Sequence, residues 1–529
     1  MSVPTKVLAA CCFAASLGTA ALQAQAGGAP LIDAVRRGDR AAVRQLVERQ
    51  TNVNAAEPDG TTPLHWAARQ QDVESAALLL RSGANVAAAN RYGVTALTLA
   101  SISGNTSMIE LLLEAGADAN TALPEGETVL MTAARTGVRG AVKTLVERGA
   151  KVNAIEAWHG QTALMWAAGQ GHTAVAEELI RQGADVHARS KGGLTPLLFA
   201  VRGDHRDVVG ALLAAGANVN DTVQDGTSAL TVAIVNARYE MAGVLLEHGA
   251  NPNATDARGS ALHALAFMRN PGYGANPPRV QSGRVDSLTL AKVLLERGAN
   301  PNARIAWKEI KFDRDNGTVR APSNISVGRA YASYVGATPF YLAAKGADIA
   351  LMKLLVEHGA DPLIPTVQKI TPLMAAAGVG FWDGESPGPE SGVPESQALE
   401  AVKLTLELGN DVNAVTEYGA TPIVGDSATL LHRHPLNLGE FGEDALGDMR
   451  WGGSTALHGA ALRGADSIVT FLVEKGARVD ARNKLGWTPL MVAQGVFVAN
   501  TEKAWPSTIT LLRDLEGRLL SPNVRPPQQ

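Results

Sequence analysis

One feature constrains this chain more than any other: a block of about 33 residues returns along most of its length. The clearest copy runs from Asp59 to Asn90, DGTTPLHWAARQQDVESAALLLRSGANVAAAN. One apolar slot of the block is filled by Leu64, Leu97, Leu130, Leu164, Leu197, Leu230, Leu262, Phe340, Leu373, Leu457 and Leu490. A second mark keeps the same interval, a glycine before alanine at Gly83, Gly116, Gly149, Gly183, Gly216, Gly249, Gly298, Gly359 and Gly476, with Gly409-Asn410 as a variant. Two marks in phase mean stacked copies of one small unit, each covering an apolar face that its neighbour cannot bury alone.

The block has a local logic. Asp59-Gly60 suits the positive backbone dihedrals of a tight turn. Thr62 is placed to cap a helix that starts at Pro63, which has no N–H to leave unpaired. Leu64, Ala67 and Ala68 give that helix an apolar face, and the small alanines admit a second, antiparallel helix over roughly Val73 to Arg81. Gly83 then stands where a left-handed residue ends it.

The period, Thr-Pro-Leu-His at Thr62 to His65 and the Gly-Ala-x-x-Asn terminator resemble the ankyrin repeat. The resemblance covers about Ala29 to Arg518 and implies an all-α repeat solenoid of helix pairs with projecting β-hairpin fingers, about 11 to 12 units. It implies protein binding through a concave groove and the fingers, and no particular catalysis. It also gives His65, His263 and His458 a structural role, since the family's histidine in that slot bonds within and between units.

Composition narrows the rest. With 47 basic and 51 acidic residues there is no global attraction to nucleic acid. Residues 1–26 read as a secretory signal: Lys6, an apolar core, then Ala24-Gln25-Ala26, with cleavage before Gly27. That places the mature chain in a periplasm or outside the cell, without stable membrane insertion and acting as a monomer. Cys11 and Cys12, the chain's two cysteines, would be removed with the signal. No motif for a cofactor, metal or catalytic centre survives scrutiny, so none is expected. Gly384-Glu385-Ser386-Pro387-Gly388 lacks the strand that a nucleophile elbow needs, and Pro435 argues against a helix that would hold His432 and His434 on one face.

The expected order is a signal at 1–26, an N-terminal capping pair at 27–56, regular repeats over 57–260, repeats with insertions over 261–485, a capping repeat at 486–519 and a disordered tail, 520–529. The insertions fall at about 271–286, 305–336, 380–396 and 422–452, the last being either an insertion or a degenerate repeat. Trp66, Trp166 and Phe199 share a slot in the first helix and read as core. Aromatic residues at finger positions need another explanation, and Tyr92, Trp158, His159, Trp451 and Trp487, with Phe381 and Trp382 in an inserted loop, are the candidate partner-binding residues. The leading reading is a non-enzymatic adaptor for a protein partner. A ligand-binding or enzyme-like site built from the second-half insertions, and a secreted effector acting on another cell's proteins, remain as alternatives.

Overall fold

The computed structural model describes residues 30–223, 226–256, 259–269, 281–305, 336–380, 393–417, 452–496 and 504–520. Its helices are α1 Pro30–Arg37, α2 Arg40–Glu48, α3 Pro63–Arg69, α4 Val73–Arg81, α5 Ala96–Ser103, α6 Thr106–Glu114, α7 Val129–Thr136, α8 Arg139–Glu147, α9 Ala163–Gln170, α10 Thr173–Arg181, α11 Pro196–Gly203 and α12 Arg206–Ala214. They continue as α13 Ala229–Val235, α14 Tyr239–Glu247, α15 Ala261–Arg269, α16 Ser287–Glu296, α17 Pro339–Lys345, α18 Ile349–Glu357, α19 Pro372–Ala377, α20 Glu395–Glu407, α21 Ala456–Arg463, α22 Asp466–Glu474, α23 Pro489–Ala493 and α24 Pro506–Leu520. Odd numbers are the first helix of a pair, even numbers the second.

Each pair starts as its residues dictate. Threonine caps the first helix, as where Thr338 Oγ1 accepts from Tyr341 N at 3.1 Å, with Pro339 at N1. Asp or Asn caps many of the second helices, as where Asp39 accepts from Ala42 N at 2.9 Å and Asn105 from Met108 N at 3.0 Å. Gly183 closes α10 at φ +84, with nothing within 4 Å of an added Cβ, so the dihedral and not crowding selects glycine there.

The described chain divides into two compact units, one built on residues up to 167 together with 174–184, the other on 168–173 and 185 onward. In the first, α1, α3, α5 and α7 pack side by side as one row and α2, α4, α6 and α8 as another. In the second, first helices α11 to α23 and second helices α14 to α24 do the same. The core is the seam between rows, filled by residues such as Leu64, Ala67, Leu79, Leu97 and Leu112, all at most 1% exposed. Glu178, on α10, is buried at 1% exposure. Burial alone would raise its pKa, but bonds from Gln182, Arg139 and Arg181 outweigh that and bring it down to about 2.

Within each unit, two kinds of side chain join successive repeats. Asn54 Nδ2 donates to Gly83 O at 3.0 Å while its Oδ1 accepts from Asn85 N at 2.7 Å. Asn253 repeats this with Gly298 and Asn300, Asn302 with Gly359 and Asp361, and Asn413 with Gly476 and Arg478. The histidine slot makes the second joint. His458 Nδ1 accepts from Thr455 N at 3.1 Å, which puts the proton on Nε2 for donation to Trp487 O at 3.0 Å. His65 bonds Thr62 and Val94 O in the same way, and His263 bonds Ser260 and Ala337 O.

Fingers are shorter than two-stranded hairpins: Ala89 with Thr95, Ala122 with Thr128, Thr222 with Ser228 and Asp256 with Gly259 form single bridges. A regular finger closes by Glu57 N to Thr61 O at 2.9 Å and Gly60 N to Glu57 O at 2.8 Å, leaving two residues between the closing positions. Ile305 N to Ala337 O at 3.0 Å and Gly336 N to Ile305 O at 2.8 Å reproduce that pattern around 306–335. Thr416 N to Ser454 O and Gly453 N to Thr416 O, both 3.0 Å, reproduce it around 417–452. Since α19 packs directly on α21 and Asn413 reaches Gly476, the stack is continuous across these numbers.

Candidate functional site

The first unit presents two sets of side chains that the core does not consume. At the finger tips, Tyr92 is 55% and Trp158 62% exposed. Trp158 stacks on exposed His159, with ring centroids 5.1 Å apart and planes 9° from parallel. The tip is shaped from below by Glu156, buried at 5% exposure, whose carboxylate accepts from Trp158 N at 2.6 Å, His159 N at 2.8 Å and Gln161 N at 2.9 Å. Burial pushes the Glu156 pKa up, but these backbone donors, Gln161 foremost, hold it below the usual carboxylate range. A charged clamp thus fixes the backbone from which the two stacked rings project. Tyr92 is likewise backed by Arg91, whose guanidinium lies 4.7 Å from the ring centre.

The second set lies on the open face of the first-helix row. Trp66 and Trp166, expected in the core, are only half-buried, because their slot lies on the side of the helix away from the second row. Arg36 and Arg69 lie over the Trp66 ring at 4.9 and 5.3 Å, and Arg135 over Trp166 at 5.0 Å. Glu57 ties the first group together, accepting from Arg36 at 2.7 Å and from Trp66 Nε1 at 2.8 Å. Glu127 does so for the other, pairing with Arg135 at 3.3 Å and accepting from Thr132 Oγ1 at 2.8 Å. Trp166 Nε1, by contrast, is buried without an acceptor. Ile102, 47% exposed, lies on α5 between these clusters. Phe199, in the second unit, is 8% exposed and does belong to the core.

Trp487 corrects the expectation that it projects from a finger: it is 6% exposed. It stands immediately before the capping Thr488, where its carbonyl accepts the hydrogen bond of His458 Nε2–H, so it is part of the joint between repeats and not of a tip. Phe381, Trp382 and Trp451 lie outside the described residues, as do Ser386, His432 and His434.

In the second unit, Gly171, Thr173 and residues Asp204 to Asp207 line an open polar cleft of about 510 Å³. Nothing in it pairs a nucleophile with a base. Lys345, donating to Gly380 O at 3.1 Å, has its pKa pushed down to about 8 by burial and, secondarily, by Arg463. Among the described residues no cluster of His, Cys, Asp or Glu could hold a metal ion, and no helix is long and apolar enough to cross a membrane.

Paired helices, glycine terminators and side-chain joints define a helix-pair repeat protein. Sequence models of the ankyrin repeats match residues 31–123, 115–190 and 174–256, and a model of the single ankyrin repeat matches 335–367 and 452–484, together more than half the chain. The chain belongs to the ankyrin repeat family, and its fold is the all-helical ankyrin solenoid. Ankyrin repeat protein OPG189 of Variola virus, including the isolate Human/India/Ind3/1967, is 33% identical over 95 residues, which is 17% of this chain and 16% of the viral protein. The crystal structure of the human ASB11 ankyrin repeat domain superposes with a TM-score of 0.39 at 27% identity, covering 42% of this chain and 99% of that domain.

Proposed function

We propose that this protein is a non-enzymatic scaffold that binds a protein partner, and that it does so after export from the cytoplasm. The observation that carries the binding reading is the Trp158-His159 tip. Two stacked, exposed rings on a backbone held by a buried carboxylate contribute nothing to the seam between helix rows, and rigid aromatic anchors of this kind are typical of interfaces. Membership of a repeat family whose members commonly bind proteins supports it further. Capture of the partner by cross-linking pull-down from the native extracytoplasmic fraction tests the reading. Trp158→Ala and Tyr92→Ala are expected to weaken capture, each true anchor by about 2 kcal/mol or more, with helical content and Tm unchanged. Capture at wild-type strength by both variants would count against it.

A further inference from the structure

The asparagine joint recurs in the first unit at Asn120, whose Nδ2 donates to Gly149 O at 3.1 Å while its Oδ1 accepts from Lys151 N at 2.9 Å. Asn54 in the same unit and Asn220 in the second meet the same pair of backbone groups: the carbonyl of the glycine that follows a second helix, and the N–H two residues on. At one position of the first unit the slot holds alanine. Ala87 stands 33 residues after Asn54 and 33 before Asn120, where the period puts asparagine. The groups it faces in register are Gly116 O and Asp118 N, and these make no bond among the described residues. Ala87, Gly116 and Asp118 are all exposed. The chain thus shows, at its other joints, the chemical shape that this open pair fits.

We propose that Gly116 O and Asp118 N receive a primary carboxamide from the bound protein, the side chain of an asparagine or glutamine. The inference rests on the protein-binding reading above and specifies one contact of it. A primary carboxamide carries its donor and its acceptor on one carbon and offers both along one edge, as the asparagines do at these joints. A trans peptide group points its N–H and C=O to opposite sides and does not offer that edge. A carboxylate has no proton for Gly116 O, and an ammonium or guanidinium has no acceptor for Asp118 N. The finger that carries Ala87 at its root carries Tyr92, 55% exposed, at its tip. Between them Ala87-Ala88-Ala89 raises no side chain larger than a methyl group, so a segment reaching from ring to open pair lies close against the finger.

The test uses the full chain, isotope-labelled at its aspartate nitrogens and read by NMR. Asp361 is the internal control, because its N–H is already held by Asn302 Oδ1 at 2.7 Å in the arrangement that Asp118 lacks. Acetamide should move the Asp118 amide signal at least about threefold further than that of Asp361, while acetate and N-methylacetamide should move the two alike. Ala87→Asn gives the slot the residue that the chain uses elsewhere. It should raise the urea midpoint, abolish the acetamide response and weaken partner capture by about tenfold, since the partner's amide is then left unpaired. Ala87→Ser, one bond too short to span the pair, should change none of these. An Asp118 signal that answers acetamide no more than Asp361 does, an equal response to acetate, full capture by Ala87→Asn, or equal damage from Ala87→Ser would overturn the proposal and leave the pair to water. Should Ala87→Asn capture normally while Trp158→Ala fails, this inference falls and the scaffold reading stands; should Trp158→Ala and Tyr92→Ala be silent as well, both fall.

Discussion

At the scale of single residues, the buried histidines make the fold sensitive to acid. Burial pushes the pKa of His263 and His458 down to about 4 and lowers that of His65, because each ring is enclosed in a joint that uses its neutral Nε2–H form. The unfolded chain protonates near 6.5, so below that pH it binds protons that the folded chain refuses. The contribution of each neutral ring is therefore complete above pH 6.5 and falls away as pH drops below it, for His263 and His458 by up to about 3 kcal/mol each as pH falls toward 4. Urea midpoints at pH 7.5 and 5 should differ accordingly, and His458→Gln should flatten the profile. A wild-type midpoint that holds constant from pH 7.5 to 5 would refute this. Glu178 acts in a lower window, its contribution present above about pH 4.5 and lost as pH falls through about 2. The histidine slot was legible in the sequence because its spacing repeats; Glu178 was not, since a glutamate beside another on a helix looks solvated until Arg139 of α8, the second helix of the preceding pair, is placed against it.

At the scale of elements, helix pairs and their caps were legible because threonine, proline and glycine report local backbone needs. Side-chain exposure was less so. Trp66, Trp166 and Trp487 each sit in or beside a periodic slot, but period alone does not say which side of a helix faces water or whether a residue stands at a finger's tip or its root. The finger roots support a prediction of their own. Replacing 306–335 by Pro-Asp, the pair that separates Glu57 from Gly60, should leave the closing bonds of Ile305, Gly336 and Ala337 intact. By loop-closure entropy alone, shortening this connection by about four doublings of length removes on the order of 2 kcal/mol, so the excised chain should be more stable by about that amount. A chemical-denaturation midpoint below that of the parent would show that the removed residues brace the stack.

At the scale of the whole molecule, the family and the helical solenoid were legible because repetition writes the same instruction many times. The partner was not, because recognition depends on the residues that do not repeat. Export is likewise a matter of the whole chain's fate. Intact-mass measurement of the protein recovered from its native compartment should show a chain beginning at Gly27 and lacking both cysteines. A species retaining Cys11 would sink that proposal.

The asparagine joint has one more consequence. Asn54 reaches a carbonyl 29 residues ahead, Asn302 one 57 ahead and Asn413 one 63 ahead, yet all three make the same two bonds. Distance along the chain and distance in space are thereby uncoupled at these finger roots. A gene encoding such a protein can acquire a new segment at these points by a single insertion, without a compensating change in any helix, and the same points are ports at which a foreign sequence could be displayed.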